Sequence, residues 1–279
     1  MAVGFARGWL LTEKAWQLVR DDLRLLVFPS ISAVLGLAAG FVGFLLVVGR
    51  PWWTYLAGFT VLTFPLTVVS TYLGVAFVAV ASRSLDGEPF SIRDGLRCSR
   101  SRLPAIVGWS LLATFVGLVL AALRYVRGGW LATRLAGLVL GLAWAAGTCL
   151  VLPVIALENP GPFASVRRSA TLVRKRWGET VAGLVSLGGG FVLVALPAGF
   201  LIAAGVETGF GPVGAALFTS GFVLMAGAVA YGSTTWGMLQ LVLYRYATTG
   251  ATAGAFRPED LETAFRERPA SRLRRRLSS

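Results

Sequence analysis

FASVRRSATLVRKRW, residues 163–177, carries five positive charges and no negative one, and it lies between two stretches apolar enough to cross a bilayer. Val166, Ala170, Val173 and Trp177 recur at i, i+4, i+7 and i+11, the spacing of one face of a helix. Whether such a helix binds nucleic acid, contributes to catalysis or lies on a membrane is decided by where else the pattern occurs.

It occurs twice more. FSIRDGLRCSRSRL (90–103) places Ile92, Leu96, Ser99 and Leu103 at the same spacing, and the N-terminal segment places Thr12, Trp16, Val19 and Leu23, with Phe5 and Trp9 extending the stripe backward. In this register Arg20, Arg100 and Arg174 share one position. The boundaries correspond as well. SLDGEPFS (84–91) and ALENPGPFAS (156–165) each pair a Leu with an acid, then a turn, then a Pro-Phe that opens the next helix, and GAF at 254–256 is a faint echo. The pattern predicts three units, about 5–82, 90–157 and 163–246, each an amphipathic interfacial helix followed by a transmembrane hairpin. Because each unit starts on the same side, the repeats are parallel.

Composition sets the frame. Hydrophobic residues make up 56% of the 279 residues and charged ones 14%, against about a quarter charged in ordinary globular chains. An all-α integral membrane protein is expected. Six windows reach the roughly 20 apolar residues a span needs: 25–48, 54–82, 104–123, 131–157, 181–205 and 213–244. Pro65, Pro153 and Pro197 mark kinks, and Gly232-Ser-Thr-Thr offers another bend. A single transmembrane domain over 1–250 and a basic tail over 251–279 follow, and no cleavable signal peptide is expected at the start. Gly36/Gly40 and Gly137/Gly141 have the spacing that lets helices approach closely. Gly188-Gly189-Gly190 suggests either tight packing or a hinge.

Lys and Arg are unevenly divided. Residues 1–24, 83–103, 158–178 and the tail from Arg245 hold 22 of the 26, so both termini are expected in the cytoplasm of a plasma-membrane protein. The arginines around RYVRGGWLATR (124–134) oppose the rule locally. Trp52, Trp53 and Trp130 fall at the outer boundary as belt residues. The net charge of +13, segregated into short segments between apolar runs, points to anionic membrane lipids rather than nucleic acid. Arg20, Arg100, Arg102, Arg167, Arg168, Arg174, Lys175 and Arg176 are the candidate headgroup contacts.

Catalytic chemistry is hard to find. There is no histidine, the six windows hold no acid, and no phosphate-loop, GxSxG or HExxH motif occurs. Cys98 and Cys149 have no zinc or haem neighbourhood, and a disulfide between them is not expected. No catalytic, cofactor or metal site is expected, and an enzyme is disfavoured. The lack of intramembrane acids also disfavours a coupled carrier. A passive pathway has candidate lining residues in Thr67, Ser70, Thr71, Ser233, Thr234 and Thr235, although such hydroxyls commonly bond to a carbonyl one turn back.

FARGWLLTEKAWQLVRDDLRLLVFP (5–29) and ENPGPFASVRRSATLVRKRWGETVAGL (158–184) resemble a family of uncharacterised prokaryotic multi-pass membrane proteins over nearly all of the chain up to the tail. The order Pro-Phe, basic helix, apolar span is more loosely similar to the membrane region found beside some glycerophosphodiester phosphodiesterases. The resemblance implies a fold and no activity. The leading expectation is a non-enzymatic, lipid-associated or envelope-organising membrane protein. The rival is a permease-like pathway, or an accessory subunit of one, for lipid or small molecules. A protein partner and self-association are left open.

Overall fold

The computed structural model of the chain describes residues 13–20, 22–47, 49, 52–123, 130–177, 189–209 and 211–251. All regular structure among these residues is helical. Helix α1 covers 13–20. A 3₁₀ turn at Leu23–Leu26 leads into α2 (Val27–Val47), followed by α3 (Trp52–Leu85), α4 (Ile92–Ser101), α5 (Leu103–Leu123) and α6 (Trp130–Thr148). Then come α7 (Val151–Leu157), α8 (Pro162–Trp177), α9 (Gly189–Glu207) and α10 (Pro212–Thr249).

Among the described residues, five stretches are long and apolar enough to cross a membrane: Leu23–Gly43, Val61–Leu85, Leu103–Leu123, Leu135–Leu157 and Pro212–Thr249. They fall on five of the six predicted windows. The sixth, 181–205, is partly outside the described residues, and the part inside holds the shorter apolar helix Val194–Glu207. Helix α9 runs two residues past that window, to Glu207. Gly188 lies outside the described residues, and Gly189 and Gly190 begin α9.

The fourth window is two helices rather than one. The chain turns at Cys149 and Leu150 before resuming as α7. Pro153 explains the position, because its ring nitrogen has no proton for the carbonyl of Cys149, four residues back. By contrast, α3 and α9 run unbroken through Pro65 and Pro197, and α10 is one helix of 38 residues across Gly232–Thr235.

The buried core gathers at one end of the bundle. Val75, Val78, Ile106, Leu150, Ile155, Met238, Leu241 and Leu243 are nearly or fully inaccessible there, and α3, α7 and α10 meet one another. Toward the other end large apolar side chains face outward, including Leu46, Phe115, Leu138, Leu196, Phe200 and Val213. In water such a surface would be unstable; in lipid it costs nothing.

Close helix crossings use glycines other than the two expected pairs. A Cβ at Gly36, Gly40, Gly137 or Gly141 would meet nothing within 4 Å, so these glycines bring no helices together among the described residues. At Gly221 a Cβ would lie 2.8 Å from Ala198 O and Ile202 N, which keeps α9 and α10 in backbone contact.

Candidate membrane-facing basic surface

The three short polar helices sit at the core end, each against a long helix that precedes it in the predicted cycle of repeats. Helix α4 packs on α3, and α8 packs on α6 and α7. In α1, the Trp16 ring packs on that of Tyr231 of α10, the centroids 4.5 Å apart and the planes tilted by 57°.

Local sequence fixes α4 firmly. Ser91 caps it, its Oγ accepting from the Asp94 N–H while the Asp94 carboxylate accepts from the Ser91 N–H. Hydrogen bonds donated by the Ser91 hydroxyl and by the Ser91 N–H hold the Asp94 carboxyl below its usual range, and Arg83 and Arg97 add to the effect. Pro89-Phe90 therefore stops short of the helix, whereas Pro162-Phe163 does begin α8. The turn before α8 needs a left-handed residue, and Asn159 supplies it at φ 51°.

The faces turned inward are not the large apolar stripes. Ile92, Leu96 and Leu103 are exposed, and the buried residues of α4 are Gly95 and Ser99. A Cβ on Gly95 would lie 2.8 Å from Ala76 O and 2.9 Å from Phe28 Cζ. Ser99 Oγ donates to Tyr72 O at 2.8 Å. In α8 the buried residues are Ser165, Ser169, Leu172 and Val173, while Phe163 is 74% exposed. Ser169 Oγ accepts the Leu150 N–H, which the turn at Cys149–Leu150 leaves without a helical partner. In the sequence register, Ala15, Gly95 and Ser169 coincide and are all buried, as are Val19, Ser99 and Val173. Arg20, Arg100 and Arg174 coincide and are all exposed.

The candidate headgroup residues divide by environment. Arg20, Arg100, Arg167, Arg174 and Lys175 are exposed. Arg168 is turned to the protein, its Nε 3.0 Å from both oxygens of Glu158, which also accepts from Tyr244 OH at 2.8 Å. Arg102 is half-buried, with its Nε enclosed and without a hydrogen-bond partner. The Arg176 side chain lies outside the described residues, as do those of Trp52, Trp53, Trp130 and Trp177.

Two links at this end escaped the sequence analysis. Arg245 donates to both Asp86 oxygens at 2.6 Å and to Ser82, joining the end of α10 to the end of α3. The Arg245 hydrogen bonds hold the Asp86 carboxyl below its usual range. The adjacent Tyr244 reaches Glu158 at the end of α7. The Leu-acid pairs at 85–86 and 157–158 were the visible half of these links; nothing in the sequence marked Tyr244 and Arg245 as their partners.

Four of the six candidate pathway residues bond within their own helices. Thr67, Ser233, Thr234 and Thr235 donate to the carbonyls of Thr63, Val229, Ala230 and Tyr231, each one turn back. Thr71 is buried and accepts from Ser110 Oγ at 3.3 Å. Ser70 lines a pocket with Ser32, Leu66 and Val229. Both cysteines are free thiols, Cys149 buried and Cys98 partly so.

An all-helical bundle with five helices able to span a membrane, and a basic end built from short helices packed through small residues, defines the class of protein. Within that class the chain belongs to the family of unknown function DUF6159, whose sequence profile matches residues 53–254. No curated protein and no solved structure matches the chain, so the looser likeness to the phosphodiesterase-associated region has no counterpart in these comparisons.

Proposed function

We propose that the protein is a non-enzymatic, lipid-associated or envelope-organising component of the cell membrane. It is a six-span bundle of three parallel repeats with both termini in the cytoplasm. The observation that carries this is the division of labour on α4 and α8. Helix α4 faces the bundle with Gly95 and Ser99, and α8 with Ser165, Ser169, Leu172 and Val173, while Ile92, Leu96 and Phe163 turn outward beside Arg100, Arg167, Arg174 and Lys175. Exposed apolar side chains flanked by free cations fit the bilayer interface, where the first enter the acyl region and the second meet anionic headgroups.

The repeat is supported by equivalent contacts. Register positions 16, 96 and 170 meet Tyr231, Tyr72 and Gly147 respectively: Trp16 packs on Tyr231, Tyr72 OH donates to Leu96 O, and a Cβ on Gly147 would lie 3.8 Å from the Ala170 Cβ. Each surface helix thus seats on the second span of the preceding unit, and the first closes onto the third. The back-bonded hydroxyls of α3 and α10 favour this role over a permeation pathway.

Native mass spectrometry of protein released from its own membrane in mild detergent tests the proposal. Retained anionic phospholipid is expected, falling stepwise in R100Q, R167Q, R174Q and K175Q variants. A lipid-free chain, or retained zwitterionic and anionic lipids in membrane proportion regardless of these substitutions, would remove it.

A further inference from the structure

The first and second spans of the middle unit meet where Trp109 stacks on Trp144, with ring centroids 5.8 Å apart, and part beside it. Between α5 and α6 lies a groove of about 450 Å³, walled by Phe115, Val119 and Leu123 on one side and Leu140 and Trp144 on the other, and bounded by Val166 of α8. Its volume falls within the roughly 300–1,000 Å³ of small-molecule sites. It opens sideways, since Phe115, Val119 and Leu140 are 62%, 44% and 52% exposed. Each wall runs about 12 Å along its helix, eight residues at 1.5 Å each.

At the basic end of the groove stands α8, and its helical phase determines what it offers. Ser169, Leu172 and Val173 point into the bundle. Val166 borders the groove, and Ala170 faces Gly147, itself a groove residue. At 100° per residue the next positions around the helix, moving away from the bundle, are Phe163, Arg174 and Arg167. All three are exposed, and neither arginine has a carboxylate partner among the described residues. Arg168, which does have one, lies on the other flank. An apolar slot thus ends at two free guanidinium groups.

We propose that this groove holds an acyl chain of an anionic phospholipid whose phosphate is bound by Arg167 and Arg174. The proposal rests on α8 lying at the membrane surface. Charge selects this occupant over the chain's own tail, because residues 252–279 carry seven arginines against four acids and would be repelled from the same guanidinium groups. Guanidinium pairs bind phosphate oxygens in bidentate geometry, which favours an anionic lipid over a neutral one.

The test uses the full chain in nanodiscs doped with photoreactive phosphatidylglycerol or phosphatidylcholine, each with a diazirine midway along one acyl chain. Adducts are mapped by mass spectrometry. With phosphatidylglycerol, adducts should concentrate on 115–123 and 140–148, at least about fivefold above phosphatidylcholine, as expected for two cationic contacts at an anionic headgroup. Ala143→Phe fills the groove from an exposed position and should remove these adducts for both lipids. The R167Q/R174Q pair should abolish only the preference for phosphatidylglycerol. Val119→Trp is a second block from the opposite wall. Adducts spread evenly around the bundle, equal for both lipids and indifferent to A143F and V119W, would overturn the proposal, as would a second copy of the chain or the tail cross-linked in the groove. A headgroup diazirine separates the two levels: labelling of α8 without labelling of the groove sinks this site alone, whereas no labelling of α8 sinks the membrane-surface seating beneath it.

Discussion

The Leu150 N–H donates to Ser169 Oγ at 3.1 Å, and this bond joins the turn between α6 and α7 to the middle of α8. Both residues are fully buried. Ser169→Ala should therefore leave a buried amide without an acceptor, at a cost of about 1–3 kcal/mol. Ser169→Thr keeps the oxygen and should cost less. Thermal unfolding in detergent reads the difference. Equal melting temperatures for wild type and S169A would mean the amide finds another acceptor.

Gly95 has no room for even one methyl group. Ala76 O, a backbone atom, is 2.8 Å from where the Cβ would lie, so relief requires α4 to move off α3. Gly95→Ala should destabilise the protein by roughly 1–3 kcal/mol, the usual cost of overpacking. Gly137→Ala, at a position open to its surroundings, serves as the matched control and should be neutral or slightly stabilising. If both variants melt alike, the α3–α4 contact is looser than described.

The Arg245–Asp86 link gives stability a pH dependence of definite sign. Its hydrogen bonds lower the folded-state pKa of Asp86. A carboxyl with a lowered pKa contributes stability above its unfolded value of about 3.9, and loses it as pH falls through the folded value. Asp86 is 48% exposed, so solvent screening limits the pair to about 1 kcal/mol. Arg245→Gln should lower stability by that amount near neutral pH, with the deficit closing below about pH 4. Asp94, also lowered, titrates in both proteins and cancels from the comparison. A deficit that stays constant down to pH 3 would assign the effect of R245Q to lost packing instead.

The long helices were legible because a span is a composition signal: apolar runs such as 104–123 became α5 almost residue for residue. Proline placed the break in the fourth window, through the donor it lacks. The packing faces were not legible. Reading the stripes as faces for the bilayer interface leaves open which residues pack inward, and in lipid small residues make many of the helix contacts. Hence Ile92 and Leu96 were paired with Ser99 on one face, while the fold buries Ser99 with Gly95 and turns the other two outward. Long-range polar links are invisible for a different reason. Tyr244 and Glu158 are 86 residues apart, and only the meeting of α7 and α10 brings them together.

That same meeting bears on the span count. Tyr244 and Arg245, near the end of α10, bond to the ends of α7 and α3, so the three helices finish at one level, beside α4 and α8. Helix α9 lies antiparallel against α10 through the Gly221 crossing, and its 19 residues extend about 28 Å, close to the roughly 30 Å of a hydrocarbon core. In the six-span proposal α9 crosses beside α10, and the number of spans is even. A reporter fused after Arg276 should therefore lie on the same side as α4 and α8. In a C98S/C149S background, cysteines at Arg100 and Arg167 should react with an impermeant maleimide only after the cells are opened, and one at Thr208 before. A reporter active outside the cell, or early labelling at position 100 or 167, would give α9 and α10 different fates in the membrane and end the six-span proposal.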